Sequence, residues 1–383
     1  MKKKLLIYTD ATTGPATLAE LKALAPLNKE FELTWAYAPQ SPLAQEAASL
    51  SFSSQPLNLG LAAQSPSWLA RPIATLRRLS GVDKSRQELI AASLKPMKAD
   101  LLWIYSEADE GREACRRLAA AARAAGIGQI FLRFLQPSHR PQDAAQMQAD
   151  QVLLQEVDQW VAVSAFAGRR LMDYRGVKPG RWAALPPCLP EQDQRVRADG
   201  AALRSAWGVL DEELLVGALE PGPAALWLIG ALALVKSPLR LALLGGAGER
   251  RLWSDEVRRL DLGKRVILPD EWGGPAQAVA AFDLLALPQP SEAWQVPMEA
   301  MLLGRPVLAS STGGMEEWVE PGVSGRLLLP KDREAWAAAL EELCRDRRLR
   351  EGMGLSGKER FFRLFDQDRF AGRVGALLKE RGL

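Results

Sequence analysis

Short apolar runs that alternate with amphipathic stretches constrain the fold of this chain more than any other feature of its sequence. In the first half, such runs predict buried strands at residues 4–9, 31–37, 101–105, 130–134 and 160–163. Apolar residues at helical spacing fill the intervals at 15–25 and 110–125. Strands and helices that alternate in this way predict an α/β fold with a parallel, doubly wound sheet.

The alternation stops once, at a proline-rich segment, and then resumes. Residues 186–190 read Pro-Pro-Cys-Leu-Pro, and consecutive prolines resist both a helix and a central strand. After this segment an apolar helix is predicted at 224–235, and strands at 214–219, 239–244, 266–268, 284–287 and 307–309. Because 383 residues exceed what one core usually supports, we predict two Rossmann-like domains and a terminal helix, at residues 1–187, 188–364 and 365–383.

Composition excludes several classes of protein. A hydrophobic content of 48% and a charged content of 25% are ordinary for a soluble globular chain, and a net charge of +3 predicts no nucleic-acid partner. The three cysteines, Cys115, Cys188 and Cys344, are far apart, which argues against a disulfide framework and a zinc site and favours a cytoplasmic location. The basic start ends in polar Thr9 and Asp10, so it predicts a first strand and not a signal peptide.

The segment from Pro288 to Asp332 carries the residues with the clearest chemical meaning. Glu292 and Glu299 flank a loop-to-helix junction, a Gly-Arg-Pro sequence ends that helix, and a Thr-Gly-Gly turn follows the next strand. A helix N-terminus beside a strand end offers backbone N–H groups and a partial positive charge, which suit a phosphate. Glu299 can accept hydrogen bonds from vicinal hydroxyls, as a ribose presents, although acidic residues at a helix start also occur for dipole reasons alone.

This order resembles the donor-sugar site of the group 1 (family 4) retaining glycosyltransferases of the GT-B fold. In that family the same place reads as a glutamate, an aromatic-glycine loop, a second glutamate opening a helix, a Gly-Lys-Pro-Val sequence and a Gly-Gly-Ile-Pro-Glu turn. The resemblance implies two domains that face each other across a cleft, with Glu292 and His139 as catalytic residues. It implies that the donor is bound by Glu299, Gln295, Val296, Pro297, Met298, Gly14, Gly246, Asp270, Thr312, Gly313 and Gly314.

The roles that the resemblance implies are specific. The donor base and ribose would lie against 269–272 and Glu299, the transferred sugar would contact Glu292, and the diphosphate would meet the N–H groups of 295–298 apart from Pro297. The reaction would transfer a hexose with retention, from a nucleotide-diphosphate sugar to a cell-envelope glycan or lipid-linked acceptor such as lipopolysaccharide, without a bound metal or other cofactor. The terminal helix would cross back to the first domain, although its apolar spacing equally suits a helix that finishes the second.

Three segments leave alternatives open. His139 stands either in the cleft or in an exposed loop beside Arg140-Pro141. Residues 67–78 mix Trp68, Leu69, Ile73 and Leu76 with three arginines, which suits either peripheral contact with the anionic inner face of the cell membrane or an ordinary solvated helix. The first strand-to-helix turn, residues 10–15, lacks a Gly-x-Gly-x-x-Gly fingerprint, which disfavours a dinucleotide-dependent dehydrogenase.

The sequence departs from the family pattern where the donor diphosphate would be neutralised. The family carries an arginine or lysine pair just after the first strand of the second domain, whereas residues 217–223 hold no base and one acid, Glu220. Compensating cations, for which Lys236 and Arg305 are candidates, would have to come from elsewhere. The loop 293–295 also lacks the family's glycine. The sequence therefore allows either an active transferase or a catalytically silent GT-B protein that serves as a binding or scaffold subunit.

Overall fold

A computed structural model of the chain describes residues 2–9, 14–57, 82–106, 112–135, 144–189, 194–210, 212–289 and 294–383, and the statements below concern these residues. The chain forms two compact units, Met1–Cys188 with Gln367–Leu383, and Leu189–Asp366. Each unit is built on its own sheet, and all neighbouring strands are parallel. The α/β architecture predicted from the alternation of elements is confirmed.

The first unit contains a seven-stranded sheet in the order β3-β2-β1-β4-β5-β6-β7. Leu5 lies opposite Leu33 on one side and Leu101 on the other. Its central strands are continuous apolar runs, as expected for parallel strands that are covered on both faces. The strands are β1 Lys3–Thr9, β2 Phe31–Tyr37, β3 Ser53–Pro56, β4 Leu101–Ser106, β5 Gln129–Phe134, β6 Gln159–Ala162 and β7 Trp182–Ala184.

Helices connect these strands. They are α1 Pro15–Ala23, α2 Val82–Leu94, α3 Arg112–Ala124, α4 Ala144–Glu156 and α5 Ala165–Arg175, with short 3-10 helices at Ala25–Lys29, Pro42–Ser49 and Lys95–Met97. Ser164 begins α5 as its N-cap, because its hydroxyl accepts a hydrogen bond of 3.0 Å from the N–H of Ala167. The hydroxyl of Ser164 therefore has a structural role at the start of this helix.

The second unit contains a six-stranded sheet in the order β10-β9-β8-β11-β12-β13. The strands are β8 Leu214–Leu219, β9 Leu239–Leu244, β10 Val266–Ile267, β11 Leu284–Leu287, β12 Val307–Ser310 and β13 Gly325–Leu328. Gly217 permits the close approach of β8 to Phe282, since a Cβ atom at this position would lie 2.0 Å from the phenyl ring. The helices are α6 Gln194–Ala206, α7 Ala224–Leu232, α8 Ala247–Arg259, α9 Pro275–Ala281, α10 Gln295–Leu302, α11 Met315–Trp318, α12 Arg333–Arg345 and α13 Arg347–Leu364.

The last helix, α14 Gln367–Glu380, returns to the first unit. It packs against α1 and buries Phe370, Val374 and Leu378, which are at most 1% exposed. The apolar spacing that the sequence shows in this segment therefore serves the core of the first unit. Within the described part of the chain, no helix combines the length and apolar character needed to cross a membrane.

A buried ion pair ties this arrangement together inside the first unit. Arg133 on β5 donates to both carboxylate oxygens of Glu20 on α1, at 2.6 and 2.5 Å, and both side chains are 0% exposed. The same guanidinium donates to the carbonyl of Leu185 at 2.9 Å and lies 5.6 Å from the centre of the Phe370 ring of α14. One guanidinium thus joins a helix, a strand, the segment that leaves the unit and the helix that returns to it.

Removal of the carboxylate from this pair is expected to destabilise the protein strongly. Glu20→Ala leaves the Arg133 charge buried without its partner, and we expect a loss of about 3–5 kcal/mol in the free energy of unfolding, measured by urea denaturation. The control is Glu46→Ala. Glu46 lies 3.4 Å from Lys22, and each of the two side chains is 43% exposed. The loss of this exposed ion pair should lower the free energy of unfolding by less than about 1 kcal/mol. Equal losses in the two variants would contradict this account of Arg133.

Candidate functional site

The carboxyl ends of β8, β9, β11 and β12 meet at one edge of the second sheet. The strand order reverses between β8 and β11, and a crevice at such a switch point is where open α/β sheets bind ligands. Hydrogen bonds fix the backbone on both sides of the reversal. Gln289, after β11, donates its side-chain amide to the carbonyl of Glu220, after β8, at 2.9 Å, and Glu220 donates its N–H to Leu244 at 2.7 Å.

Glu220 occupies the position where the family pattern has a base. Its backbone lies in the left-handed region at φ 44°, where a non-glycine residue is uncommon. Gly222, two residues later, also has a positive φ of 54°, and its carbonyl accepts a 3.3 Å hydrogen bond from the indole of Trp253. The sharp turn after β8 is therefore held by its neighbours and presents an acid to the edge of the sheet.

Helix α10 starts at this edge. Its first helical residue is Gln295, and in an α-helix the first N–H groups have no intrahelical acceptor. Gln295 and Val296 therefore have N–H groups to offer, whereas the buried Pro297 has none. The N–H group of Met298 donates to the carbonyl of Trp294 within the helix at 3.2 Å, and the Met298 side chain is buried. The role predicted for Met298 in donor binding stays a prediction.

Glu299 lies one turn into α10 and is partly buried. Among the described residues, its Oε2 atom is buried and has no hydrogen-bond partner. Burial raises the pKa of this carboxyl from 4.5 to about 7. A buried acceptor with no partner is uncommon in native structures, and a ligand that donates hydroxyl hydrogens would satisfy it.

The Thr-Gly-Gly turn follows β12 as the sequence predicts. Gly313 and Gly314 have φ angles of 69° and 76°, which glycine adopts without steric cost, and Gly314 caps the short helix α11. The Oγ1 atom of Thr312 is buried and, in the part of the chain that the structure describes, also lacks a hydrogen-bond partner. The turn is anchored to β11 by Ser310, whose hydroxyl donates to the carbonyl of Pro288. Unpartnered polar atoms therefore occur on both elements that flank β12.

Other predicted residues lie at the beginning of helices or on a loop. Gly246 caps α8, and its N–H donates to Glu249 at 3.1 Å. Asp270, on the loop after β10, is exposed and lies 2.9 Å from a guanidinium nitrogen of Arg250. Gly14 caps α1 in the first unit. Glu292, His139 and the segment 67–78 lie outside the described residues.

The two cations proposed as compensation from the sequence lie at the opposite edge of the sheet. Lys236 precedes β9, and its N–H donates to Glu341 at 2.7 Å. Arg305 precedes β12 and donates to the carbonyl of Ala280 at 3.3 Å. Neither residue follows a strand, so neither stands at the carboxyl edge where Glu299 and the Thr-Gly-Gly turn lie.

Sequence reasoning missed a cation that does stand at the carboxyl edge. Arg250, in the first turn of α8, donates to the carbonyl of Gly245 at 2.9 Å, and its side chain is only 19% exposed. The sequence did contain a signal for this cation, namely the glycine-rich turn after β9. Arg250 is the fourth residue of the helix that follows this turn, so it stays near the end of the strand. Its ion pair with Asp270 links the ends of β9 and β10.

Comparisons with known proteins show the class of fold and a family that part of the chain resembles. The chain has the GT-B fold: it superposes on the crystal structure of the Anabaena protein Alr3699/HepE in complex with UDP with a TM-score of 0.72, at 18% identity, covering 99% of this chain and 100% of that one. A glycosyltransferase from Rickettsia africae gives a TM-score of 0.74 at 13% identity, with 99% and 98% covered. Residues 213–346, within the second unit, match the family model described as glycosyl transferases group 1.

Sequence relatives are consistent with this family. The D-inositol 3-phosphate glycosyltransferase of Geodermatophilus obscurus is 28% identical over 228 residues, which is 55% of this chain and 50% of that protein. The protein of the same name from Nocardia farcinica is 30% identical over 231 residues, 56% of this chain and 51% of that protein. The chain thus spans about half the length of the curated relatives it matches.

The raised pKa of Glu299 predicts a pH dependence of stability in the ligand-free protein. The folded state binds the proton of this carboxyl more tightly than the unfolded state does. The neutral carboxyl therefore contributes its full stability to the fold at low pH, and this contribution is lost as the pH rises from 4.5 through about 7. We expect the free energy of unfolding to fall by up to roughly 3 kcal/mol over this interval, and Glu299→Gln to remove that part of the fall.

The measurement is urea denaturation of the wild type and Glu299→Gln at several pH values across this interval. Glu359→Gln, which removes an exposed carboxyl from α13 of the same unit, is the matched control and should keep the wild-type slope. If the slopes of wild type and Glu299→Gln coincide, the carboxyl of Glu299 is not destabilised by burial.

Proposed function

We propose that the chain transfers a hexose, with retention of configuration, from a nucleotide-diphosphate sugar to a hydroxyl of a cell-envelope glycan or lipid-linked acceptor. The observation that carries the proposal concerns Glu299, which lies one turn into a helix that begins at the switch point of the second sheet. One of its carboxylate oxygens is buried and has no hydrogen-bond partner among the residues that the structure describes. A ribose offers vicinal hydroxyls to such an acceptor, and the N–H groups at the start of the same helix suit the attached phosphate.

The comparisons support a nucleotide-sugar donor. The matched family is that of the group 1 glycosyl transferases, and the sequence relatives carry the name of a glycosyltransferase. Solved structures of the HepE protein from Anabaena hold UDP in one case and UDP-glucose in another. We infer a nucleoside diphosphate as the leaving group on this basis, and its base and sugar are for the experiment below to identify.

Each residue has a chemical role in this proposal. Glu299 accepts the ribose hydroxyls, the N–H groups of Gln295 and Val296 bind a phosphate oxygen, and Thr312 offers its hydroxyl to the donor. Glu292 contacts the transferred sugar, and His139 is the second catalytic residue, as the resemblance of the sequence implies. The proposed reaction takes place in the cytoplasm or at the inner face of the cell membrane, with residues 67–78 as the segment that contacts lipid.

The proposed chemical step balances without a protein nucleophile or a bound metal. The oxygen of the acceptor hydroxyl forms a bond to the anomeric carbon on the face from which the diphosphate departs. The bond between that carbon and the diphosphate oxygen breaks, and the diphosphate takes the proton of the hydroxyl. The protein binds and orients both substrates and stabilises the charge that develops on the leaving group.

A catalytically silent donor-binding subunit is the second candidate function. It is favoured by one observation, which is that the turn after β8 presents Glu220 where a leaving diphosphate needs a cation. A GT-B protein in this state would bind a nucleotide or an assembly partner without turnover.

A thermal-shift panel of nucleoside diphosphates and their sugar conjugates tests the proposal. A ligand at about 100 times its dissociation constant adds about 2.7 kcal/mol of stability, which raises Tm by several degrees. We expect one base to give this shift in the wild type and in Glu359→Gln. In Glu299→Gln the shift should shrink, because the amide replaces one acceptor with a donor.

Two further outcomes decide between the candidates. Release of nucleoside diphosphate and transfer of labelled sugar to an envelope lipid extract, both lost in Glu299→Ala, would establish the enzyme. A thermal shift without turnover on any acceptor fraction would favour the binding subunit. The absence of a shift with every nucleotide tested would contradict the donor site itself.

A further inference from the structure

A cavity of about 700 Å³ lies at the edge of the second sheet opposite to Glu299. Its lining includes residues that immediately precede strands β8, β9, β11 and β12, together with the junction between α12 and α13. The volume falls in the range that small-molecule sites occupy. The lining residues that the structure describes fall between 212 and 351, and all of them belong to the second unit.

Arginines of the protein neutralise the carboxylates along much of this lining. Asp283 pairs with Arg204 at 2.9 Å, Glu213 with Arg240 at 3.5 Å, and Glu351 with Arg347 at 2.6 Å. Asp283 also accepts the N–H of Leu215 at 2.8 Å, and Glu213 the N–H of Leu210 at 2.9 Å. Glu212 is exposed, where solvent screens its charge. Little unpaired negative charge therefore remains among the described residues of the cavity wall.

Arg350 is bonded differently. Its Nη1 atom donates to the carbonyls of Leu343 and Cys344, at 2.6 and 3.4 Å, at the end of α12. These acceptors carry no formal charge, and among the described residues no carboxylate pairs with Arg350. Arg265 is not among the lining residues, but it donates to the carbonyl of the lining residue Ser237 at 3.3 Å and to that of Val235 at 2.9 Å. This wall of the cavity therefore has an excess of positive charge.

We propose that this cavity is a binding site for a small phosphate-bearing ligand, with Arg350 as its main charged contact. A guanidinium that uses one nitrogen to anchor itself keeps other N–H groups in the planar fork that matches phosphate oxygens. The site lies at the amino ends of the strands, whereas the donor site lies at their carboxyl ends. Binding here is therefore independent of the proposed sugar transfer, and so is the test.

Cys344 provides a reporter inside the cavity. It lines the cavity, with its sulfur 3.6 Å from the carbonyl of Pro238, and it is partly exposed. The other two cysteines of the chain, Cys115 and Cys188, are buried in the first unit. A thiol reagent added to the native protein should therefore modify Cys344 first, and peptide mass spectrometry identifies the modified residue.

The experiment compares two disulfide reagents on the native full-length chain. The dianion dithiobis(nitrobenzoate) should be attracted by the positive charge of the cavity wall that contains Arg350. Dithiodipyridine is neutral and should not be attracted. The ratio of their rates at Cys344 cancels the fraction of thiolate, so a change in this ratio between variants reports a change in the electrostatic field. We expect Arg350→Gln, which removes the charge but keeps a donor for the carbonyls, to lower this ratio several-fold.

Protection by a phosphate ligand completes the test. Inorganic phosphate or pyrophosphate at millimolar concentration should slow the modification of Cys344 in the wild type and in Glu299→Gln, but not in Arg350→Gln. The control is Arg258→Ala, which removes an exposed arginine of α8 and should behave as the wild type does. Circular dichroism confirms that each variant is folded, and Arg350→Lys, which keeps the charge, serves if Arg350→Gln does not fold and should retain the wild-type ratio.

Four results would overturn the proposal, and three of them concern Arg350→Gln or the wild type. They are a reagent ratio that Arg350→Gln leaves unchanged, protection that persists in Arg350→Gln, and the absence of protection by either phosphate compound in the wild type. Protection that disappears in Glu299→Gln would place the ligand at the donor site and would equally overturn it. Nucleotide binding by the wild type is measured separately, so failure here leaves the donor site standing.

Discussion

The reversal of strand order between β8 and β11 is the constraint on which the second unit depends. Parallel strands are joined by right-handed crossover connections. From β8 the chain proceeds to β9 and β10 on one side of the sheet, and it then continues through β11, β12 and β13 on the other side. The turns that follow β8 and β11 therefore diverge and leave a crevice between them. The hydrogen bond from Gln289 to the carbonyl of Glu220 spans this reversal. Helix α10 and the Thr-Gly-Gly turn are fixed at the same edge because their strands are the next two in the sheet.

The polar atoms at this edge are arranged at a cost to stability. The Oε2 atom of Glu299 and the Oγ1 atom of Thr312 are buried and, in the described ranges, have no hydrogen-bond partner. A buried polar group without a partner destabilises a fold by the energy of its lost hydration. The first unit shows the opposite solution, since buried Arg133 is bonded to Glu20 and to the Leu185 carbonyl. The contrast supports a ligand as the missing partner in the second unit.

The two edges of the second sheet differ in charge. At the carboxyl edge the acids Glu220 and Asp270 are present, and Arg250 is already paired with Asp270. A diphosphate there would depend on backbone N–H groups and the dipole of α10 more than on side-chain cations. At the amino edge, Arg350 lines the cavity and donates through one nitrogen to uncharged carbonyls, so its charge is available to a ligand. Any two phosphate sites on this unit would therefore bind by different means.

The sequence by itself determined the buried strands and the local turn chemistry. Phe31–Tyr37, Leu214–Leu219, Leu239–Leu244 and Leu284–Leu287 were predicted at the residues where they occur. Short, mainly apolar segments between turn signals are stable inside a covered parallel sheet. The Thr-Gly-Gly turn and Glu299 were likewise readable, since glycine at a positive φ and a carboxylate in the first turns of a helix are local features.

Tertiary structure alone decided the edge strands Ser53–Pro56 and Gly325–Leu328, whose partly exposed residues become strands only through pairing with a neighbour. It also decided that Lys236 and Arg305 stand at the wrong edge, and that Arg350 meets residues more than a hundred positions away around one cavity. Such positions follow from the spatial order of the strands in the sheet, and this order is set by contacts between segments that are far apart in the sequence.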